Sequence, residues 1–410
     1  MSLAGQKPKQ KAFIGIAIAF CLWHTIDEWC KLVTAFIQWE LRPEMDMFRI
    51  GIINGVGNLF ILLGTFPMGQ LLDSAGTKFA ALTATLVTGF YYLLISRMGS
   101  FVGFLACQCL RIGFQFPQIT ESFIGSVVTD DKERVKALMR LTIPLGIALV
   151  LGPFLGGYLS NFISDANLIA VAGSTLILTL LPITLFMLPE LTNRKGMSLV
   201  PRFSAYCDML RSRPLRNTLM LKLLVDMPYQ AYDQLSRTYI VHHMLQNHSD
   251  MFHLFVILGL GTLLTNVVVI KWLQKHFSAQ RLLQLSLVIL IVSYLLLSTA
   301  HDFWSLAIVM PVQVVGILIA YAELVGGIMG AVERDHVGKA AGLSQVSLIF
   351  SAAVMPPVAG YIVNQAGFAI VCYSGSVLSV AALAVAHFCC GHLNDQAAHR
   401  LPQNINPASI

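Results

Sequence analysis

Gly152-Pro153-Phe154-Leu155-Gly156-Gly157-Tyr158 is followed 203 residues later by Met355-Pro356-Pro357-Val358-Ala359-Gly360-Tyr361. Acidic positions echo the same spacing. Thr120-Glu121 precedes a loop ending in Arg134-Val135, much as Ala322-Glu323 precedes Arg334 and Val337. A repeat of half the chain, in a strongly apolar sequence, points to a duplicated membrane bundle and so to transport.

Of the 410 residues, 56% are hydrophobic and only 12% charged, too apolar a balance to solvate the surface of a soluble protein this long. Apolar stretches of roughly 20 residues, the length that crosses a hydrocarbon core of about 30 Å, recur along the whole chain. They predict helices near 12–38, 50–72, 79–96, 101–127, 141–160, 166–189, 217–243, 251–270, 282–299, 303–331, 341–364 and 367–390. Lipid-exposed backbone must satisfy its own hydrogen bonds, so the expected fold is an all-α membrane protein of twelve transmembrane helices in two six-helix bundles.

Basic residues supply a topology. With both termini cytoplasmic, 20 of the 27 Lys and Arg fall in cytoplasmic tails and loops, among them Lys7, Lys9, Lys78, Lys132, Arg134, Arg194, Lys271, Arg334 and Arg400. Lys31, Arg111, Lys222 and Arg237 instead fall inside helices. The net charge of +6 is therefore a topology signal and not a nucleic-acid footprint. The expected organisation is a tail over 1–11, an N-terminal bundle over 12–190, a basic linker over 191–216, a C-terminal bundle over 217–390 and a tail over 391–410.

Eight cysteines scattered through helices and a cytoplasmic loop give no disulfide or zinc pattern. Asn247-His248-Ser249 is a glycosylation triplet in a short loop on the non-cytoplasmic side. His242, His243, His248 and His253 cluster around that loop, where a solvated loop outweighs a metal site. No cofactor and no metal are expected.

The chain resembles the major facilitator superfamily, and its fifth-helix ending resembles that of the drug:proton antiporter branch, matched at Gly152, Pro153, Gly156 and Gly157. Glycines let helices approach closely, and a proline frees a carbonyl and bends the helix where two halves would rock. A second motif joins helices two and three, reading Gly69-Gln70-Leu71-Leu72-Asp73-Ser74-Ala75-Gly76-Thr77-Lys78. It matches at Gly69, Leu71, Asp73, Gly76 and Lys78, with Ser74 where the family usually has a basic residue. Arg111, in Leu110-Arg111-Ile112-Gly113-Phe114-Gln115, is the partial match to the branch's helix-four arginine. A finer resemblance, through Asp131-Lys132-Glu133-Arg134, is to organic-cation-transporter-like solute carriers. These resemblances imply a proton-coupled antiporter, with the glycines, Pro153, Asp73 and Lys78 in gating.

Helical arithmetic places the remaining candidates. On helix one His24, Asp27, Glu28 and Lys31 share an arc of about 100°. Three charges left in lipid would cost on the order of 9 kcal/mol, so they are expected against a central cavity or against Arg111. A carboxyl shielded from bulk water can take and release protons, so Asp27 and Glu28, with His24 as relay and Arg111 beside them, are the expected proton-coupling residues; a structural Glu28–Lys31 pair is the plainer alternative. On helix four Arg111, Gln115, Gln118, Glu121 and Ser122 are expected on one polar face, and on helix seven Lys222, Asp226, Tyr229, Gln230, Asp233 and Arg237 on another. The excess of carboxylates favours a cationic or zwitterionic solute, with Gln115, Gln118, Glu121, Asp226, Tyr229, Gln230 and Asp233 contacting it. Small-molecule substrate, protons and lipids are the expected partners of a monomeric secondary transporter working by alternating access. The rival is a non-transporting receptor, sensor or scaffold on the same fold.

Overall fold

Backbone in hydrocarbon closes its hydrogen bonds within one helix, and long apolar runs with few breakers do so here almost without interruption. The computed structural model describes residues 6–41, 44–127, 141–188, 209–244, 247–332 and 337–389, with no strand among them. The helices are α1 (Gln6–Glu40), α2 (Met47–Leu72), α3 (Ser74–Ile95), α4 (assembled from Phe101–Cys107, Gln108–Gly113 and Phe116–Val127), α5 (Thr142–Leu159) and α6 (Asp165–Met187). The second set is α7 (Arg213–His243), α8 (His248–His276), α9 (Ala279–Leu297), α10 (Phe303–Gly330), α11 (Val337–Ala366) and α12 (Phe368–Cys389). Nine of these are long and apolar enough to cross a membrane. The other three are α4, which is broken, α5, which is shorter, and α7, which carries Lys222, Asp226, Asp233 and Arg237. Twelve passes in two sets of six is the predicted layout.

Boundaries differ from the sequence prediction where capping physics decides them. α1 is already helical from Gln6, inside the predicted tail. α7 begins at Arg213 rather than 217, because Pro214 in a first turn has no intrahelical N–H bond to lose. α2 and α3 run on as one helical stretch of 49 residues except at Gly76, whose φ of 87° and ψ of 168° are open essentially to glycine alone. That backbone requirement explains Gly76 in the loop motif. The side chain of Asp73 lies outside the described residues, as do Asp131–Arg134 and most of the 191–216 linker.

The two halves meet along two related seams, α2 with α11 and α5 with α8, and α1 also touches α7. Each copy of the opening motif stands in one seam. Pro153 removes the N–H that would bond Leu149 O, and Pro356 and Pro357 do the same to Ala352 O and Ala353 O. Each freed carbonyl is met by the opposite half. Asn58 Nδ2 donates to Ala352 O at 2.9 Å, whereas Gly55 packs on Ala353 O and Gly259 on Leu149 O so closely that a methyl group on either would overlap the oxygen. Gly152 likewise lies against Thr25 and Glu28 of α1, Gly156 against Trp29 and Phe252, and Gly157 against Phe252 of α8. The motif glycines thus serve close approach.

At the end of the bundle away from Gln6, side chains tie the halves together. Thr238 Oγ1 donates to Gln38 Oε1 at 3.3 Å, and His248 Nε2 lies 3.0 Å from each Asp165 oxygen while its ring stacks on Phe36 at 3.8 Å. Toward the other end the described helices are looser. A methyl group on Gly342 would meet nothing within 4 Å, and one on Gly69 would meet only Gln118 Nε2 at 3.9 Å.

Candidate functional site

The charged face of α1 does assemble, but around partners that periodicity alone did not choose. Lys31 Nζ lies 2.6 Å from Asp27 Oδ2 and 2.7 Å from Glu28 Oε1, as the one-turn spacings allow. Tyr92 of α3 donates its hydroxyl to Asp27 Oδ1 at 2.7 Å. Glu28 Oε2 faces Arg237 Nη2 of α7 at 3.1 Å, so this carboxylate is shared between a cation of its own helix and a cation of the opposite half. Both carboxylate side chains are 8% exposed, where an uncompensated charge would be costly. The expected pairing with Arg111 is replaced by Lys31 and Arg237. His24 is not hydrogen-bonded to either acid; its ring lies edge-on to Phe20 and Trp23, with Nε2 buried and unpartnered.

Beside this bridge is a cavity of about 30 Å³, lined by Glu28, Arg237, Pro153, Gly259, Phe255 and Thr262 among others. Its volume suits a water molecule rather than a solute.

A second buried pair lies on α7 about three turns away. Lys222 Nζ sits 2.5 Å from Asp226 Oδ2 and 5.0 Å from the centre of the Tyr321 ring, and Ser347 Oγ of α11 donates to Asp226 Oδ2 at 2.9 Å. Asp226 Oδ1 and the Tyr321 hydroxyl are buried beside this pair. Tyr229 meets Tyr321 edge-on at 6.0 Å, and Gln234 Nε2 donates to Gln230 Oε1 at 3.4 Å. Asp233 is half-buried one turn before Arg237, with no ion pair of its own among the described residues.

Arg111, Gln115 and Gln118 all face α2, but the helix that carries them is broken. Pro117 has no N–H to close on Gly113 O and would clash with it, so the chain tightens to a 3₁₀ turn over Gln108–Gly113 and leaves the helix at Phe114 and Gln115. In the tighter turn Gln108, Arg111 and Phe114 eclipse, and the Arg111 guanidinium lies 5.3 Å from the Phe114 ring centre. The amides of Gln115 and Gln118 are spent on α2, donating to Ile61 O at 2.7 Å and Thr65 O at 3.2 Å. Glu121 is exposed, while its repeat counterpart Glu323 is buried and accepts from Gln274 at 2.8 Å. Lys78 is half-buried beside buried Thr77.

Sequence reasoning missed Tyr92, Asn58, Ser347 and the Asp165–His248 contact. Asn58 carried a usable signal, since it and Asn54 one turn before are amides within an apolar span that need partners in hydrocarbon. The others are set by which helices become neighbours.

Residues 12–319 match the family model described as Major Facilitator Superfamily. The chain belongs to that superfamily. No curated protein matches the sequence. Among solved structures, a mutant of the nucleoside transporter NupG superposes with a TM-score of 0.74 at 13% identity, covering 93% of this chain and 99% of that one. A bacterial homologue of the human lysosomal transporter Spinster, described as inward-facing and unoccupied, gives 0.66 at 14%, covering 98% and 99%. The Escherichia coli fucose:proton symporter FucP gives 0.63 at 14%, covering 92% and 98%. At these identities the likeness shows the fold alone. This superfamily member is thus a multi-pass integral membrane protein with the fold of membrane transporters.

Proposed function

We propose that the protein is a proton-coupled secondary transporter, an antiporter in the sense implied by its fifth-helix motif, carrying a small organic solute by rocking its halves about a midplane site. The observation that carries the reading is the sharing of Glu28 between Lys31 and Arg237. Motion that separates α1 from α7 takes away one of two cations from a buried carboxylate, and an incompletely compensated carboxylate binds a proton more readily. Asp27, held by Lys31 and Tyr92, is its partner in that exchange. FucP, a fucose:proton symporter, offers a precedent for proton coupling on this fold.

On the same face of α7 Asp233 is half-buried and has no ion pair among the described residues, which favours a solute bearing a cationic group, alone or within a zwitterion. In proteoliposomes under an imposed pH gradient, Asp27→Asn is expected to abolish proton-driven flux while leaving solute binding measurable. Uptake that stayed fully pH-dependent in that variant would remove α1 from the coupling role.

A non-transporting receptor or sensor is the second reading, favoured by internal neutralisation of the buried pairs Lys222–Asp226 and Glu28–Arg237. Correctly folded protein giving no solute-driven pH change across a broad set of cations and zwitterions would favour it.

A further inference from the structure

Lys31, Lys222 and Arg237, the cations within the spans of α1 and α7, each have a carboxylate: Lys31 has Asp27 and Glu28, Lys222 has Asp226, and Arg237 has Glu28. Arg111 has none among the described residues. Its Nε is buried and unpartnered, and its guanidinium makes no hydrogen bond there, resting only on the face of Phe114. A ring face supplies part of a cation's stabilisation but uses none of its five directional N–H donors.

Depth excludes the easy partners. Arg111 lies ten residues into α4, about 16 Å from its Phe101 end at about 1.5 Å per α-helical and about 2.0 Å per 3₁₀ residue, which is near the middle of a hydrocarbon core about 30 Å thick. Lipid headgroups are beyond the reach of its side chain there. Yet the residue is partly accessible and not sealed in the packing. Gly57 of α2 leaves room for it: a methyl group at that position would overlap both Arg111 Nη1 and Gln108 Oε1. Gln108 is 1% exposed, and this same oxygen is buried with no hydrogen bond. An unspent guanidinium and an unspent amide oxygen therefore stand together beside Gly57, on one edge of the 3₁₀ turn.

We propose that Arg111 holds the anionic group of the transported solute, a carboxylate or phosphate, while Gln108 Oε1 accepts from an adjacent N–H or O–H of the same molecule. Guanidinium matches an oxyanion in a two-pronged geometry, and such charge-assisted bonds are among the strongest available to a side chain. The inference rests on the transport reading only for the word transported. With Asp233 on α7 it narrows the solute from cationic to zwitterionic, an amino acid or related amino-bearing acid.

The test reads binding without a gradient, so its failure is distinct from a failure of transport. Purified full-length protein is titrated by thermal shift with matched amines, carboxylic acids and amino acids on aliphatic and aromatic skeletons of graded size, and with glycerol phosphate. Stabilisation by carboxylate- or phosphate-bearing members is expected, falling about tenfold or more in apparent affinity in Arg111→Gln and partly restored in Arg111→Lys. Because a variant may misfold, phenylglyoxal modification of Arg111 in the unaltered protein, read by peptide mass spectrometry, should be slowed by the acids and not by the amines. Stabilisation by amines alone, acid binding unchanged in Arg111→Gln, no shift with any anionic solute, or protection only by phosphatidylglycerol vesicles would each overturn the proposal.

Discussion

The α2–α11 and α5–α8 seams face the same physical problem and answer it differently. Both contain a proline that frees a helix carbonyl toward the opposite half. In the α2–α11 seam Asn58 gives Ala352 O a full hydrogen bond, and Asn54 Nδ2 adds another to Gln234 O of α7 at 2.9 Å. In the α5–α8 seam the backbone of Gly259 packs on Leu149 O, with no hydrogen bond to that oxygen from a side chain among the described residues, beside the small cavity and the Glu28–Arg237 bridge. A directional amide fixes register, whereas a carbon–hydrogen contact is weaker and tolerates sliding. The difference predicts that α2–α11 is the more firmly held seam and α5–α8 the more yielding one.

Four measurements would break or sharpen that contrast. The largest effect is expected from Glu28→Ala, which strands Arg237 beside the α5–α8 seam and should cost about 3 kcal/mol in thermal unfolding. Glu28→Gln with Arg237→Gln should recover more than 1 kcal/mol relative to the summed single variants; strict additivity would mean that the bridge does not couple the halves. Next comes Gly259→Ala, whose new methyl would press on Leu149 backbone and should cost about 2 kcal/mol. Gly55→Ala presses on Ala353 O in the same way. If the α5–α8 seam is the more yielding one, Gly259→Ala should cost less than Gly55→Ala, and the reverse order would invert the assignment. The smallest effect is expected from Asn58→Ala, about 1 kcal/mol for one lost hydrogen bond. That variant should bring the α2–α11 seam closer to its partner, seen as faster amide exchange in α11 around Ala352 and Pro356; unchanged exchange would show that packing alone holds the seam.

How far the site could be read from the sequence differs from helix to helix. The α1 stripe was visible because His24, Asp27, Glu28 and Lys31 sit on a regular helix where 100° per residue holds, and Asp27, Glu28 and Lys31 do cluster. On α4 the 3₁₀ turn interrupts the regular helix, yet Arg111, Gln115 and Gln118 still face α2, at Gly57, Ile61 and Thr65; what the arithmetic could not show is that both amides are spent there. On α7 the charges were legible but not their use: Lys222 is consumed by Asp226, and Arg237 reaches across to another half. No periodicity in one helix reveals a partner 209 residues away in the chain.

By itself the sequence determined the class of fold, since a mostly apolar chain must close its backbone hydrogen bonds inside helices, and a repeat of half its length must build two similar bundles. It also determined which helices carry charge into the membrane. Only the tertiary structure decided which charges neutralise one another, that Glu28 spans the halves, and that Arg111 finds no hydrogen-bond partner among the described residues. Those outcomes depend on distances of a few ångströms between helices remote in sequence, where a buried charge is either met or left alone.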